Sequence, residues 1–279
     1  ARPWLRAAGL LAPPLAWLLV VYLLSLAALF LNAFWRVDEF TSEVVRDWTL
    51  DNFRTIVESP SYRAIALRTI GIASAVTVTD ALLAFPLAYF MTRMASPRLR
   101  AALFVCVLVP LWASYLARVY SWRLILSEEG VLNWTLGKLG LPTIGVGYSL
   151  WAMWIVFSYI WLPFMILPVL AAIERIPDSL LEASRDLGAR GLRTTASIVV
   201  PLALPGVVAG SIFTFSLTLG DFITPQLVGG GEQLMGNVVF SNVGIAGNVP
   251  FAAAYATIPV AVMAIYLLLA RRTGAFEAL

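Results

Sequence analysis

The side chains of this sequence that are best suited to binding a solute are acidic or aromatic, and they lie in or beside long apolar runs. Asp80 is near the middle of one run, and Asp221 directly follows another. Trp112 and Tyr115 belong to the outer half of a third run. Carboxylates attract cations, and aromatic faces bind them through cation–π contacts. We therefore consider Asp80, Asp221, Trp112 and Tyr115 as candidate pathway residues for a cation. The alternatives are ion pairing, helix capping and interfacial anchoring.

The residues that usually carry catalysis are scarce. The chain has no histidine, and its single cysteine, Cys106, lies in an apolar run. No disulfide, His–Cys dyad or zinc cluster can be built within one chain from this inventory. The glycines at 229–231 lack the Lys-Ser/Thr that follows a phosphate-binding P-loop. We therefore expect no catalytic residue, no metal ligand and no ATP site in this chain.

Long apolar runs dominate the composition. Hydrophobic residues make up 60% of the chain, and the mean hydropathy is +0.85. About 20 apolar residues are needed to span a bilayer as a helix, and by that measure we predict an all-α polytopic membrane protein with six transmembrane helices. The first run is longer than the apolar core of a signal peptide, so we expect it to be retained. The predicted spans are 10–35, 64–91, 101–126, 149–173, 198–220 and 251–270.

The basic residues predict the orientation of these spans. If the N-terminus is cytoplasmic, eleven Lys and Arg residues fall in inner segments and five in outer segments. The positive-inside rule then places both termini in the cytoplasm. The segment at 36–62 falls outside, where its mixture of charged and apolar residues predicts a short helix at about 50–57. The basic residues flank apolar runs, so they indicate topology and give no reason to expect nucleic-acid binding.

A charged segment, residues 174–197, separates the fourth and fifth predicted spans. From Glu182 the chain reads EASRDLGARGLRTTASIVVP. The spacing is Glu-Ala-Ser, three residues, Gly188, nine residues, Ile198, one residue and Val200-Pro201. It resembles the EAA loop, EAA-x3-G-x9-I-x-LP, of the membrane subunits of ATP-binding-cassette (ABC) importers. Ser184 and Val200 depart from that pattern.

Helical periodicity runs through the same segment. Asp178 or Ser179 is predicted to cap a helix, and Gly188 and Gly191 are predicted to end it. The pairs Glu182–Arg185 and Asp186–Arg190 have the spacing of intrahelical ion pairs. Leu180, Ala183, Ser184 and Leu187 recur at the spacing of a single helix face. The residues predicted to dock are Leu180, Glu182, Ala183, Ser184, Leu187, Gly188 and Arg190.

The resemblance to ABC importers implies a fold and a set of partners. In that family the loop forms a coupling helix that seats on a cytoplasmic ATPase subunit. It implies the type I importer permease fold as a single domain over residues 1–279, in the bacterial inner membrane. It also implies a second permease subunit, two ATPase subunits that hold ATP and Mg²⁺, and an extracytoplasmic solute-binding protein. No cofactor is expected on this chain.

Two shorter motifs resemble one branch of the family. The sequence LGDFITP at 219–225, followed by LVGGG at 227–231, is similar to the end of the fifth span in spermidine and putrescine importers. The sequence AFPLAYF at 84–90 resembles the same group. This resemblance implies a polyamine substrate. Iron, phosphonates, opines, amino acids and sugars remain alternatives within the importer class.

Two other classes of protein have to be weighed. A secondary transporter often shows inverted repeats or matching broken helices, and no such repeat is evident in the sequence. A membrane-embedded enzyme needs clustered catalytic groups, which Asp80 alone does not provide. Co-purification of an ATPase separates the ABC importer from both.

Overall fold

The computed structural model is mostly helical and describes residues 3–38 and 40–271. Two of the basic residues that entered the orientation prediction, Arg2 and Arg272, lie outside the described residues. Two short strands, Arg36–Val37 (β1) and Val44–Val45 (β2), pair antiparallel. π-Helical turns occupy Leu19–Leu24 and Thr195–Val199. The α-helices are Pro3–Leu18 (α1), Ser25–Asn32 (α2), Asp51–Glu58 (α3), Pro60–Arg93 (α4), Pro97–Trp112 (α5), Tyr115–Leu126 (α6), Val131–Lys138 (α7), Leu150–Glu174 (α8), Asp178–Asp186 (α9), Gly191–Thr194 (α10), Val200–Gly220 (α11), Ile223–Val228 (α12), Met235–Gly244 (α13) and Val249–Ala270 (α14).

The helices that are long and apolar enough to cross a membrane agree with the predicted spans. Five such stretches occur among the described residues, and a bent pair of helices brings the number to six if it is one span. The polytopic all-α class is therefore confirmed. The five stretches are Gly9–Asn32, Pro60–Arg93, Leu150–Glu174, Gly191–Gly220 and Val249–Ala270.

The predicted third span, 101–126, is divided in the structure. Helix α5 ends at Trp112, α6 begins at Tyr115, and the bend between them is 98°. Ala113 and Ser114 both have extended backbone, with ψ of 145° and 135°. Neither is glycine or proline, although Pro110 lies in the last turn of α5. The hydropathy of this run is continuous and did not predict the break.

The chain forms two compact units, Ala1–Ala64 with Val238–Val260 and Ile65–Asn237 with Ala261–Leu279. In the first unit, the Asn52 side chain donates to the carbonyls of Ala33 and Trp35, at 2.9 and 2.8 Å. Phe34 packs against Trp48 and Phe53. These contacts fix α3 beside the end of α2, and α3 confirms the short helix predicted at about 50–57. The single domain predicted over residues 1–279 stays a prediction.

Helix α8 is the centre of the second unit. Many of its residues are buried, and they belong to two hydrophobic clusters, one towards each end of the helix. Helix α11 packs closely against α8 because two of its residues are glycines. A Cβ on Gly206 would lie 2.4 Å from Ala172 Cβ, and one on Gly210 would lie 2.7 Å from Met165 Sδ. The Gly-x3-Gly spacing thus permits an approach that is typical of membrane helix pairs.

Candidate functional site

The segment from Glu174 to residue 197, which we call the α9 loop, is built around the short helix α9. Pro177 precedes the helix with extended backbone, and the residue at this cap position makes no side-chain capping bond. Asp178 or Ser179 was predicted as the cap, and this was wrong because both lie in the first turn of the helix. Asp178 forms an ion pair with Arg93. An acidic residue in a first turn is favourable because the N-terminal end of a helix carries partial positive charge.

Gly188 ends α9 as predicted. Its φ is +79°, in the left-handed region that favours glycine. The amide of Gly188 donates to the Arg185 carbonyl at 2.8 Å, and the amide of Ala189 donates to the Ser184 carbonyl at 3.0 Å. These are the two bonds of a Schellman motif. The prediction for Gly191 was wrong, because that residue starts α10 rather than ending α9.

One side of α9 is exposed and the other is packed. Leu180 and Ala183 are exposed, and Leu187 is 89% exposed. Ser184 was predicted on the same face, but it is buried and shares a 2.9 Å hydrogen bond with Thr194. Leu181 is buried beside it. Ser184 therefore joins α9 to α10. The exposed apolar surface consists of Leu180, Ala183 and Leu187.

The two ion pairs predicted within the α9 loop do not form. Glu182, Arg185, Asp186 and Arg190 are all exposed. Neither Glu182–Arg185 nor Asp186–Arg190 is among the ion pairs of the described residues. The α9 loop therefore presents exposed charges of both signs around exposed leucines.

Two arginines that the sequence reasoning did not single out hold this loop to the rest of the second unit. Arg93, at the end of α4, contacts both α8 and α9. Arg100, in the first turns of α5, forms an ion pair with Glu174 at the end of α8. In the sequence both arginines flank apolar runs, and they were counted only as evidence for the orientation of the membrane spans.

Asp221 and Tyr115, two of the predicted pathway residues, are in direct contact. The Tyr115 hydroxyl donates to Asp221 Oδ2 and lies 2.7 Å from the Thr224 hydroxyl. The backbone amide of Thr224 donates to Asp221 Oδ1 at 2.8 Å. Burial raises the pKa of the Asp221 carboxyl above its ordinary value, and these hydrogen bonds act in the opposite direction. Asp221 thus fixes the start of α12 and joins α6 to the end of α11.

An open cavity of about 380 Å³ adjoins this cluster. Trp161, a residue that the sequence reasoning missed, stacks on Tyr115 with ring centroids 5.8 Å apart and planes inclined by 20°. The guanidinium of Arg118 lies 5.9 Å from the Tyr115 ring centroid. The cavity is lined by Tyr115, Trp161, Ser216, Leu217, Gly220, Asp221, Phe222 and Ile223.

Trp112 is placed apart from this cavity. It is the last residue of α5, directly before the bend, and is 90% exposed. An exposed tryptophan at the end of a membrane helix is typical of an interfacial anchor or a partner contact.

Asp80 is sealed inside the second unit. It is 0% exposed, and neither carboxylate oxygen has a hydrogen-bond partner among the described residues. The Ser158 side chain is its polar neighbour, yet no hydrogen bond joins the two. Arg68 lies about 18 Å away along a helix that rises 1.5 Å per residue. It pairs with Glu232 instead.

Helix packing on both sides of Asp80 accounts for its burial. Thr77, on α4, hydrogen-bonds with Thr214 of α11 at 3.3 Å. The Trp154 indole of α8 donates to Thr79 at 3.1 Å. These contacts hold α8 and α11 against the stretch of α4 that carries Asp80.

Known proteins are similar to this chain over most or all of its length. A family model described as "Binding-protein-dependent transport system inner membrane component" matches residues 84–274. The inner membrane ABC transporter permease protein YdcU of Escherichia coli (strain K12) is 47% identical, over 100% of this chain and 93% of that protein. The spermidine/putrescine transport system permease protein PotB of Salmonella typhimurium (strain SL1344) is 34% identical, over 80% of this chain and 78% of that protein.

A solved structure shares the fold. It is a chain of a bacterial alginate ABC transporter, crystallised in complex with an alginate pentasaccharide-bound periplasmic protein. The TM-score is 0.77 at 18% sequence identity, and the match covers 99% of this chain and 96% of that chain. At this identity the likeness concerns the fold alone.

Proposed function

Because the chain belongs to the family of binding-protein-dependent transport system inner membrane components, we propose that it carries polyamines across the membrane as half of the solute pathway of an ATP-driven importer. It is a multi-pass inner-membrane permease subunit of an ABC transporter. A second permease subunit completes the pathway. Two ATPase subunits, which hold ATP and Mg²⁺, drive it, and an extracytoplasmic binding protein delivers the solute.

The exposed side of α9 supports docking of an ATPase subunit. Leu180, Ala183 and Leu187 form a small apolar surface, and Glu182 and Arg190 are exposed on the same loop. Apolar anchors that become desolvated supply most of the free energy of a protein interface, and charges around them give orientation. The Schellman motif and the Ser184–Thr194 bond keep this surface in one conformation. Movement of a bound ATPase is therefore passed to the helices.

The carboxylate and the two aromatic rings at the open cavity carry the proposal of a polyamine. Asp221 supplies a negative charge, and Tyr115 and Trp161 offer stacked aromatic faces beside it. An alkylammonium group gains from both kinds of contact, and its methylene chain packs against apolar walls. The 34% identical relatives named as spermidine/putrescine permeases support the same substrate class.

The test is ATPase activity of the assembled complex with its binding protein, measured against spermidine, putrescine, ferric iron, small sugars and amino acids. We expect a polyamine to give the largest stimulation. Stimulation by a different solute alone would reject the polyamine and keep the permease assignment.

Variants of Asp221 and Asp80 sharpen this measurement. Asp221→Asn is expected to raise the polyamine concentration needed for half-maximal uptake by about tenfold, the size of a lost contact to a charged group. Asp80→Asn is expected to change it less, because Asp80 is sealed while Asp221 lines an open cavity. A larger effect at Asp80 than at Asp221 would indicate that the solute contacts Asp80, between the packed helices, rather than the open cavity.

Arg118 favours a second candidate, a solute that also carries an anionic group. Its guanidinium lies beside Tyr115, and its Nε and Nη1 atoms are buried without a hydrogen-bond partner among the described residues. A carboxylate or phosphonate on the solute would satisfy these donors. Stimulation by an amino acid in the same scan, lost in Arg118→Gln, would support that candidate over the polyamine.

A further inference from the structure

Arg93, the last residue of α4, binds acceptors on two other elements. Its Nη2 donates to the carbonyls of Ile173 and Ile176, at 2.9 and 2.7 Å. Its Nη1 lies 2.5 Å from Asp178 Oδ1. The Arg93 side chain is 15% exposed. One guanidinium therefore joins the end of α4, the end of α8 and the first turn of α9.

The chemistry of these acceptors suits arginine. Ile173 lies in the last turn of α8 and Ile176 lies just beyond the helix, so both carbonyls are at the negative end of the helix dipole. The planar guanidinium has five N–H donors in a fixed fork, so it can bind two carbonyls and a carboxylate at once. A lysine places its charge at a single atom and cannot reproduce this fork.

The connection between α8 and α9 is short, which makes the contact mechanically significant. Only Arg175, Ile176 and Pro177 separate the two helices, and Ile176 is buried in the same hydrophobic cluster as α8 and α4 residues. A displacement of α9 therefore acts directly on the atoms that Arg93 binds.

We propose that Arg93 is a positioning residue that transmits movement of α9 to α4 and α8. This role rests on the proposed docking of an ATPase subunit at α9. Arg93 binds Asp178, in the first turn of α9, and the carbonyls before it, whereas the exposed leucines proposed to dock, Leu180 and Leu187, lie further along the loop. Removing Arg93 should therefore leave docking intact and weaken the link between ATP hydrolysis and transport.

The experiment uses the complete complex with its binding protein in proteoliposomes. It measures solute imported per ATP hydrolysed, with the solute that gives the largest stimulation in the scan above. Arg93→Gln is expected to lower this ratio by about tenfold, within the usual range of coupling between sites. Arg93→Lys should give an intermediate ratio. Arg98→Gln is the matched control, because Arg98 is exposed and belongs to no ion pair of the described residues.

The ratio is normalised to ATP hydrolysed, so a reduced yield of folded complex does not change it. An unchanged ratio in Arg93→Gln would overturn the proposal, and so would loss of the ATPase subunits from that variant. The docking role is judged separately with Leu187→Asp. If that variant retains the ATPase subunits at wild-type amounts, docking at α9 is rejected whatever Arg93→Gln shows.

Discussion

At the scale of single residues, Gly188 has a conformational role that its neighbour Gly191 lacks. A Cβ at either position would meet nothing within 4 Å, so space does not distinguish them. Gly188 has positive φ, whereas Gly191 does not. A left-handed conformation costs a residue with a Cβ roughly 1–2 kcal/mol. The requirement for glycine at 188 is therefore one of backbone conformation.

This difference predicts the outcome of two matched substitutions. Gly188→Ala should destabilise the end of α9 by about 1 kcal/mol and lower uptake. Gly191→Ala should leave uptake unchanged, and Gly188→Asn should be tolerated better than Gly188→Ala, because asparagine adopts positive φ more readily. Uptake at equal amounts of inserted protein is the measurement. Equal activity of the two alanine variants would contradict a conformational role.

The site shows which residue roles were predictable. The motif spacing identified Gly188 and the exposed Leu187, because both depend on local backbone and helix periodicity. The same periodicity misplaced Ser184, whose burial depends on the hydroxyl of Thr194 in a separate helix. The three contacts of Arg93 depend likewise on helices brought together by the fold, so local sequence could not indicate them.

At the scale of elements, the contact of α8 with α11 depends on residues without side chains. Gly206 faces Pro168 and Ala172, and its position allows backbone to meet backbone. Such close approach gives van der Waals contact between membrane helices, where the hydrophobic effect offers little driving force. The close packing of α11 on α8 thus depends on a glycine.

Gly206→Ala tests this directly. The added methyl would lie 2.4 Å from Ala172 Cβ, and we expect overpacking to cost about 1–3 kcal/mol. Thermal unfolding of the purified protein in detergent measures it. Gly71→Ala is the control, since a Cβ at Gly71 meets nothing within 4 Å. A melting temperature of Gly206→Ala equal to that of the control would show that α8 and α11 can separate without cost.

Elements were predicted best where length and apolarity alone define them. Five spans were found, because a bilayer imposes a minimum length on any crossing helix. Four agree with the prediction within four residues at both ends, whereas the stretch predicted at 198–220 begins at Gly191. The third was predicted as continuous but is divided at Ala113 and Ser114. Tyr115, directly after the division, contacts Asp221 and stacks on Trp161. These distant contacts fix the start of α6, and hydropathy contains no information about them.

At the scale of the whole molecule, the permease is proposed to be one part of a transporter whose energy comes from an ATPase subunit. The α9 loop is the surface through which that energy is proposed to enter. Its exposed apolar residues would otherwise remain in contact with water, and Leu187 is 89% exposed. Burial of such a residue in a partner's groove gives a gain proportional to the apolar area removed from water.

Leu187→Asp and Glu182→Lys should therefore both release the ATPase subunits. We expect each to weaken the association by about thirtyfold, the effect of losing an interface hot spot. The measurement is the ATPase retained on tagged permease complexes as salt and dilution increase. Val57→Asp is the matched control. Val57 is 65% exposed on α3, which is predicted to lie on the extracytoplasmic side, away from the ATPase subunits. The proposed docking would be contradicted if all three variants retained the ATPase equally. Loss in Leu187→Asp alone would assign the interface to apolar contact, with no contribution from Glu182.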